Sequence, residues 1–481
     1  MALQEVFVRA LAPERLTALI GPERAHRFLA TAAATEAGLA GRLVLNVNST
    51  AVGGGVAEML QTLLAYARGV GVDTRWVVVE GNPEFFGITK RVHNGLYGMP
   101  GDGGPLGADE RRVYEATLHS NAAELRALVR PGDFVLLHDP QTAGLAPGLR
   151  RAGVTVVWRC HVGIDRPNGH AERAWDFLRR YLEDVDAYVF SCEQFAPPWI
   201  DRSRLEVIPP SIDPFSAKNE PMEPDEVARI LQYVGLLDGG GAQPVATFTR
   251  RDGSPGRVNR HVDILQTGPP PPVEAPLVLQ ASRWDSLKDM RGVMEAFAEH
   301  VAPRSDAHLV LAGPAVHGVA DDPEAAGILA DCVQGWRRLP HAARSRIHLA
   351  CVPMTDPDEA AAIVNALQRH CTIAAQKSLA EGFGLTVAEA MWKSRPVVGS
   401  AVGGIVEQIV DRESGLLVDD PTDPVAFGDA LQVLLDDPAE ATRLGANART
   451  RACERFLGDR HLEQWAALLA ARDVRAAASP A

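Results

Sequence analysis

Glu381 and Glu389 stand eight residues apart in EGFGLTVAEA, with Gly382 and Gly384 between them. Carboxylates accept hydrogen bonds from hydroxyls, and glycines let the backbone approach a ligand closely. The apolar run Leu385 to Trp392 that follows predicts a short helix, stopped by Pro396 before the strand-like Val397-Val398. The free N–H groups at such a helix start, with the positive end of its dipole, favour an anion. A second glycine turn, Gly403-Gly404, follows. This stretch has the makings of a site for a sugar attached to a phosphate. Thr386 and Glu389 also have capping-box spacing, so Glu389 could instead close the helix N-terminus. That reading leaves Glu381 and the glycines without a purpose.

A second pair of charges precedes another helix. In SRWDSLKDM, Arg283 and Lys288 lie five apart after an apolar strand. Fixed cations beside a helix start can hold a phosphate or diphosphate. Arginine can fork onto phosphate oxygens, and lysine can act as a point charge. Two solvated surface cations are the plain alternative.

The elements that must position these residues alternate strand and helix. GRLVLNVNS, TRWVVVEG, DFVLLHD, VTVVWRC and AYVFSC read as buried strands in the first half, and PLVLQAS, HLVLAGP and RIHLACV as strands in the second, with CTIAAQKS leading into the Glu381 stretch. Such alternation predicts parallel sheets of α/β type, with ligands beyond the carboxyl ends of the strands. The strand ends offer Asp139, Gln141, Arg159 and His161. A triple glycine, Gly53-Gly54-Gly55, sits between the first buried strand and a helix expected over about Val56 to Arg68. Glu58 breaks any G-x-G-x-x-G, and no G-x-x-x-x-G-K-[ST] occurs, so nicotinamide and P-loop chemistry lose their main support. Residues 1–40 read as helical with a break at Gly21-Pro22, and 82–98 as a loop carrying Lys90, His93 and Asn94. Asp184-Val185-Asp186 runs straight into a strand and reads as a loop, with no metal site expected.

At 481 residues the chain can hold two or three domains. A net charge of −13 argues against nucleic acid or an anionic membrane as partner. No run approaches the roughly 18–20 apolar residues of a membrane span, and no secretory leader is evident at the N-terminus. The six cysteines are scattered without a C-x-x-C, as expected of free thiols in a reducing compartment. These features predict a cytoplasmic protein and leave a homodimer open.

Glu-x7-Glu within EGFGLTVAEAMWK, with the proline-led strand and AVGGI, resembles the donor-site signature of retaining GT-B glycosyltransferases of family four. The variant is closest to the nucleoside-diphosphate-glucose-dependent trehalose synthases, and SRWDSLKD, NSTAVGGGVAEML and IPPSID with SAKN resemble them too. The resemblance runs from about residue 41 to 470 and is weakest at 238–276. It implies two Rossmann-like domains facing across a cleft, with a C-terminal helix crossing back. The expected parts are an acceptor domain over 1–236, a Gly/Pro-rich and partly mobile linker or insertion over 237–276, a nucleotide-sugar domain over 277–455, and the returning helix and tail over 456–481.

The resemblance further implies roles. Arg283 and Lys288 would hold the diphosphate, helped by Gly54, Gly55, Gly384 and Leu385. Glu389 would bind the ribose, and Glu381 with the Gly382-Phe383-Gly384 backbone the glucosyl hydroxyls. His161 would stand close to the reacting sugar, and Gly53, Lys90, Asn94, Asp139, Gln141 and Arg159 on the acceptor side. Gly163 departs from the His-x-Asp pattern of these synthases, and Asp165 follows two residues later. The implied reaction transfers glucose reversibly from ADP-, UDP- or GDP-glucose to glucose, with no other cofactor and no metal. Three alternatives are a trehalose phosphorylase, a related transferase with another acceptor, and a non-catalytic sugar-nucleotide-binding protein.

Overall fold

The computed structural model describes residues 3–51, 54–239, 245–316 and 323–478. The chain divides into two compact units, one of Met1–Ser211 with Phe456–Ala481, the other of Ile212–Arg455. No helix among the described residues is long and apolar enough to cross a membrane.

The first unit is built on seven strands: β1 (Leu3–Val6), β2 (Val44–Asn48), β3 (Thr74–Val79), β4 (Phe134–His138), β5 (Thr155–Cys160), β6 (Ala187–Phe190) and β7 (Leu205–Val207). Their order is β1-β3-β2-β4-β5-β6-β7, parallel throughout except for β1, which runs antiparallel to β3. The inner strands are buried on both faces because helices cover both. On one face Leu45, Val47, Val135 and Trp158 pack with the helices Pro83–Leu96, Ala108–Leu128 and Gly169–Leu182. On the other, Val44, Phe134 and Leu136 meet Trp465, Leu468 and Leu469 of the helix Gly458–Ala478. That C-terminal helix thus returns to the first unit, where Asp459 pairs with Arg24 of the helix Pro22–Gly38 at 2.6 Å.

Two sequence expectations for this unit change. The extreme N-terminus is not wholly helical, since Leu3–Val6 adds an edge strand before the helices Glu14–Ile20 and Pro22–Gly38. The segment expected as a loop over 82–98 is the helix Pro83–Leu96. Asn82 caps it by accepting from Phe85 N–H at 2.8 Å, Pro83 occupies the first turn, and Phe85, Ile88, Val92 and Leu96 are buried at helical spacing. The Asp184-x-Asp186 sequence is used locally, because Asp186 accepts from Val156 N–H at 2.7 Å and pairs with Arg150 at 2.8 Å.

In the second unit β8 (Thr247–Thr249) and β9 (Pro255–Arg257) form a small hairpin. The main sheet comprises β10 (Asp263–Leu265), β11 (Leu277–Ala281), β12 (His308–Pro314), β13 (Ile347–Val352), β14 (Ile373–Gln376), β15 (Val397–Ser400) and β16 (Leu416–Val418). Its order is β10-β13-β12-β11-β14-β15-β16, with only β10 antiparallel. The segment over 237–276 is therefore more than a mobile linker: it supplies an edge strand and a hairpin. Arg250 binds Asp356 at 2.8 and 3.1 Å, and buried Glu359 accepts from the N–H groups of Asn259 and Arg260 at 2.7 and 2.8 Å. Residues 240–244 of this segment lie outside the described residues.

The unit boundary also falls earlier than residue 236. Residues 212–236 belong with the second unit because the helix Pro224–Tyr233 packs on the helix Pro357–His370. Asn365 of the latter donates to the carbonyls of Ala217 and Glu220 at 3.0 and 2.9 Å.

Candidate active site

In the second unit the strand order reverses between β11 and β14. Ligands of open parallel sheets bind beyond the carboxyl ends at such a point. Arg283 and Lys288 follow β11, and the Glu381 loop follows β14. Buried Gln280 ties the two loops together. Its Oε1 accepts from Lys377 N–H at 2.9 Å and its Nε2 donates to the Lys288 carbonyl at 2.6 Å.

Lys288 forms an ion pair with Glu381, whose Oε2 also accepts from Ser378 Oγ at 3.1 Å. Behind this pair Thr386 donates to Gln376 at 2.8 Å, and Gln376 donates to Ser378 at 3.0 Å. The Glu381 carboxylate is thus approached by a cation and an oriented hydroxyl. Arg283 is half-exposed and binds Asp285 at 3.0 Å. Lys377 has a structural task, joining Asp289 and the Pro421 carbonyl. Asp289 itself, held at φ 42°, caps the helix Met290–Ala296 by accepting from Gly292 N–H at 3.0 Å.

Gly384, at φ 83°, begins the helix Leu385–Trp392 with no side-chain cap. The capping-box alternative for Glu389 is therefore absent: Thr386 turns to Gln376, and Glu389 is buried with Lys218 at 3.4 Å and Gln368 at 3.4 Å. The second glycine turn holds the first. A Cβ on Gly404 would lie 2.3 Å from Phe383 Cα, and Gly404 N–H donates to the Glu381 carbonyl at 3.1 Å. Gln408 Nε2 donates to the carbonyls of Phe383 and Gly384. Beneath Glu389, Lys393 is fully enclosed, and burial pushes its ammonium down to about 7. It donates to Asn219 at 2.7 Å and Gln368 at 2.8 Å.

In the first unit the order reverses between β2 and β4. Asp139, directly after β4, sits at φ 64°, an uncommon conformation that hydrogen bonds hold in place. Its Oδ1 accepts from His161 N–H at 2.8 Å, and its carbonyl accepts from Trp158 Nε1 at 3.1 Å. Burial pushes the Asp139 carboxyl up to about 7, against the opposing pull of the His161 N–H and Arg159. His161 lies 3.1 Å from His138, with the two rings within 14° of parallel. Desolvation and the nearby Arg159 hold His161 well below the usual imidazole range.

Arg159 does not face an acceptor, as expected from the sequence, but is buried behind His161. Gln141 opens the turn after Asp139, and its buried Oε1 accepts no hydrogen bond among the described residues. Lys90 is exposed and Asn94 half-buried on the helix Pro83–Leu96, which packs beside that turn. Gly54 and Gly55 open the exposed start of the helix Gly54–Gly69, and Gly53 lies outside the described residues. The sequence reading did not single out Ser378, which follows β14 at a strand end, and that position is the signal that could have done so.

Two solved structures share this architecture. An α,α-trehalose 6-phosphate synthase from Burkholderia multivorans superposes with a TM-score of 0.64 at 17% identity, over 91% of this chain and 100% of that one. A sucrose-phosphate synthase from Thermosynechococcus elongatus gives 0.59 at 18%, over 89% and 97%. Two doubly wound units, with this helix returning to the first, have the GT-B fold. The family described as "Trehalose synthase, N-terminal domain" matches residues 46–197, and "Glycosyl transferases group 1" matches residues 265–451. A trehalose synthase from Pyrococcus horikoshii is 33% identical over 438 residues, 90% of each chain. The chain belongs to the trehalose synthase family, and it is a hexosyltransferase.

Proposed function

We propose that this protein transfers glucose, with retention, from a nucleoside-diphosphate glucose to the anomeric hydroxyl of glucose, forming trehalose without a metal. The observation that carries this reading is the assembly of Lys288, Ser378 and Glu381 beside an uncapped helix start at the switch point of the second sheet.

Lys288 and Arg283 meet the diphosphate oxygens, and the N–H groups at Leu385 and Thr386 add the positive end of a helix. Glu381 and the Gly382–Gly384 backbone take the glucosyl hydroxyls. Glu389, within reach of Lys218, takes the ribose. In the first unit His161, Asp139 and Gln141 serve the acceptor, with Lys90 and Asn94 on the helix that packs beside that turn.

In the transfer, the bond from the glucosyl anomeric carbon to the phosphate oxygen breaks, and its electron pair leaves with the nucleoside diphosphate. The acceptor oxygen bonds the same face of that carbon and passes its proton to the departing phosphate oxygen. The protein contributes position and charge stabilisation. The reaction runs in reverse when nucleoside diphosphate and trehalose are supplied.

The test is carbon NMR of the protein with ADP-, UDP- or GDP-glucose and glucose. A symmetric α,α-1,1 disaccharide appearing with free nucleotide establishes the reaction and its donor. Donor hydrolysis without disaccharide leaves the donor site and rejects glucose as acceptor. No donor consumption, with phosphate-dependent cleavage of trehalose, rejects the reading in favour of a phosphorylase.

A further inference from the structure

Arg159 lies at the centre of a directional hydrogen-bond chain within the first unit, and it is fully buried. Its Nε donates to His161 Nδ1 at 3.4 Å, Nη1 meets His461 Nε2 at 3.2 Å, and Nη2 donates to the Ile208 carbonyl at 3.0 Å. Trp465 covers the guanidinium, its ring centroid 5.5 Å away. No carboxylate forms an ion pair with Arg159 among the described residues.

A guanidinium only donates, so each imidazole nitrogen facing it must accept. His161 Nδ1 therefore carries no proton, and its Nε2–H donates to His138 Nδ1 at 3.1 Å. His138 must then hold its own proton on Nε2, where Asn46 Oδ1 accepts it at 3.1 Å. The chain continues from Asn46 Nδ2 to Thr74 Oγ1 at 3.4 Å and ends at the Val44 carbonyl, 2.8 Å from that hydroxyl. On the other side His461 accepts at Nε2 and donates from Nδ1–H to Ser211 Oγ at 2.9 Å. Every link has one donor and one acceptor only if all three histidines are neutral. A second proton on any of them would set two donors face to face.

We propose that Arg159 and His461 are positioning residues for the acceptor site, fixing His161 as a neutral Nε2–H imidazole that is braced from both sides and takes no proton during transfer. His461 comes from the returning C-terminal helix, 302 residues from Arg159 in sequence, so that helix completes the first unit's strand-end group. The inference rests on His161 serving the acceptor, as proposed above. It assigns proton removal from the acceptor to the leaving phosphate, because both ring nitrogens of His161 are engaged.

The test combines imidazole nitrogen NMR with kinetics. In wild-type protein labelled at histidine nitrogens, with assignments from single His→Gln variants, His138 and His161 show one proton on Nε2 and His461 one on Nδ1 at pH 7. Arg159→Met releases His161 into a mixture of tautomers. His461→Leu lowers kcat about 10- to 100-fold with the donor KM unchanged, and His461→Gln, whose amide supplies both an acceptor and a donor, recovers most of that loss. A proton on His161 Nδ1, or a doubly protonated ring, in the wild type overturns the proposal. So does wild-type kcat in His461→Leu while His161→Ala is inactive. Full transfer by His161→Ala would remove the acceptor-site reading itself, even where the tautomers are as stated.

Discussion

Lys288 and Glu381, 93 residues apart in sequence, meet as an ion pair at the carboxylate oxygen that Ser378 also reaches. Both side chains are largely buried, at 17% and 7% exposure, so the pair is a prepared feature and not a surface accident. If Lys288 serves the leaving diphosphate, Glu381 keeps it extended and in place until a donor arrives. Lys288→Met removes the point charge and should lower kcat/KM by about 100- to 1000-fold. Arg283→Ala, at a more exposed position, should fall in the same direction. Steady-state kinetics on both variants decide the matter. Near-wild-type rates in the two together would remove the diphosphate site.

Gly404 makes a separate prediction about the donor loop. Its missing Cβ is the space that Phe383 Cα and the Gly382 carbonyl occupy, at 2.3 and 2.8 Å from where the Cβ would stand. Gly404→Ala must push that backbone away, at a cost of about 1–3 kcal/mol. The displaced atoms belong to the loop that carries Glu381. A raised donor KM and a lowered kcat are expected, with the fold retained by circular dichroism. Unchanged kinetics would show that the loop's place is not set by this contact.

The sequence reveals most of the frame and several of the residues that gather at the strand ends of the second unit. Buried strands announce themselves as apolar runs, and the strand-end rule points to Asp139, Gln141, Arg159 and His161, whereas Arg283, Lys288 and Glu381 stand out through motif spacing and the family resemblance. The rest depends on long-range or local details that such runs do not carry. Leu3–Val6 is too short for its alternation to be distinctive, and its status as a strand comes from β3. The helix Pro83–Leu96 carries its signal in the Asn82-Pro83 start and the i, i+3, i+4 spacing of its buried residues, which its glycines and mixed aromatic and basic residues obscure. Lys377 looks like a site residue next to Glu381, yet Asp289 and Pro421 claim it. Nothing near Arg159 in sequence signals His461.

The segment over 237–276 was the least readable, because its glycines and prolines mask the acidic partners waiting on the helix Pro357–His370. Glu359 is nearly inaccessible and accepts two backbone N–H groups as well as the Arg260 guanidinium. Glu359→Ala should destabilise the second unit by about 1–2 kcal/mol, because the Asn259 and Arg260 N–H groups and the Arg260 guanidinium lose their carboxylate acceptor. It should also open the peptide around Asn259 and Arg260 to limited proteolysis well before the sheet is cut. Protease resistance equal to wild type would mean that β10 alone holds the segment.

Stability against pH should carry two opposed signatures from the first unit. Burial holds His138 neutral, with its pKa lowered to about 3, and holds His161 and His461 well below their ordinary value. The unfolded chain takes up protons on these rings below about pH 6.5, and the folded chain does not. Their contribution is therefore present above pH 6.5 and lost as the pH falls towards 3. Asp139 acts in the reverse sense. Its folded pKa of about 7 lies above the unfolded value of 3.8, so stability falls as the pH rises from 4 to 7. Asp139→Asn keeps an acceptor for His161 N–H and tolerates the left-handed backbone at that position. Relative to wild type it should gain nothing near pH 4 and as much as about 4 kcal/mol by pH 8. Urea midpoints of the two proteins across that range read the difference directly. An offset that does not change with pH would show that Asp139 carries no buried charge at neutral pH worth removing.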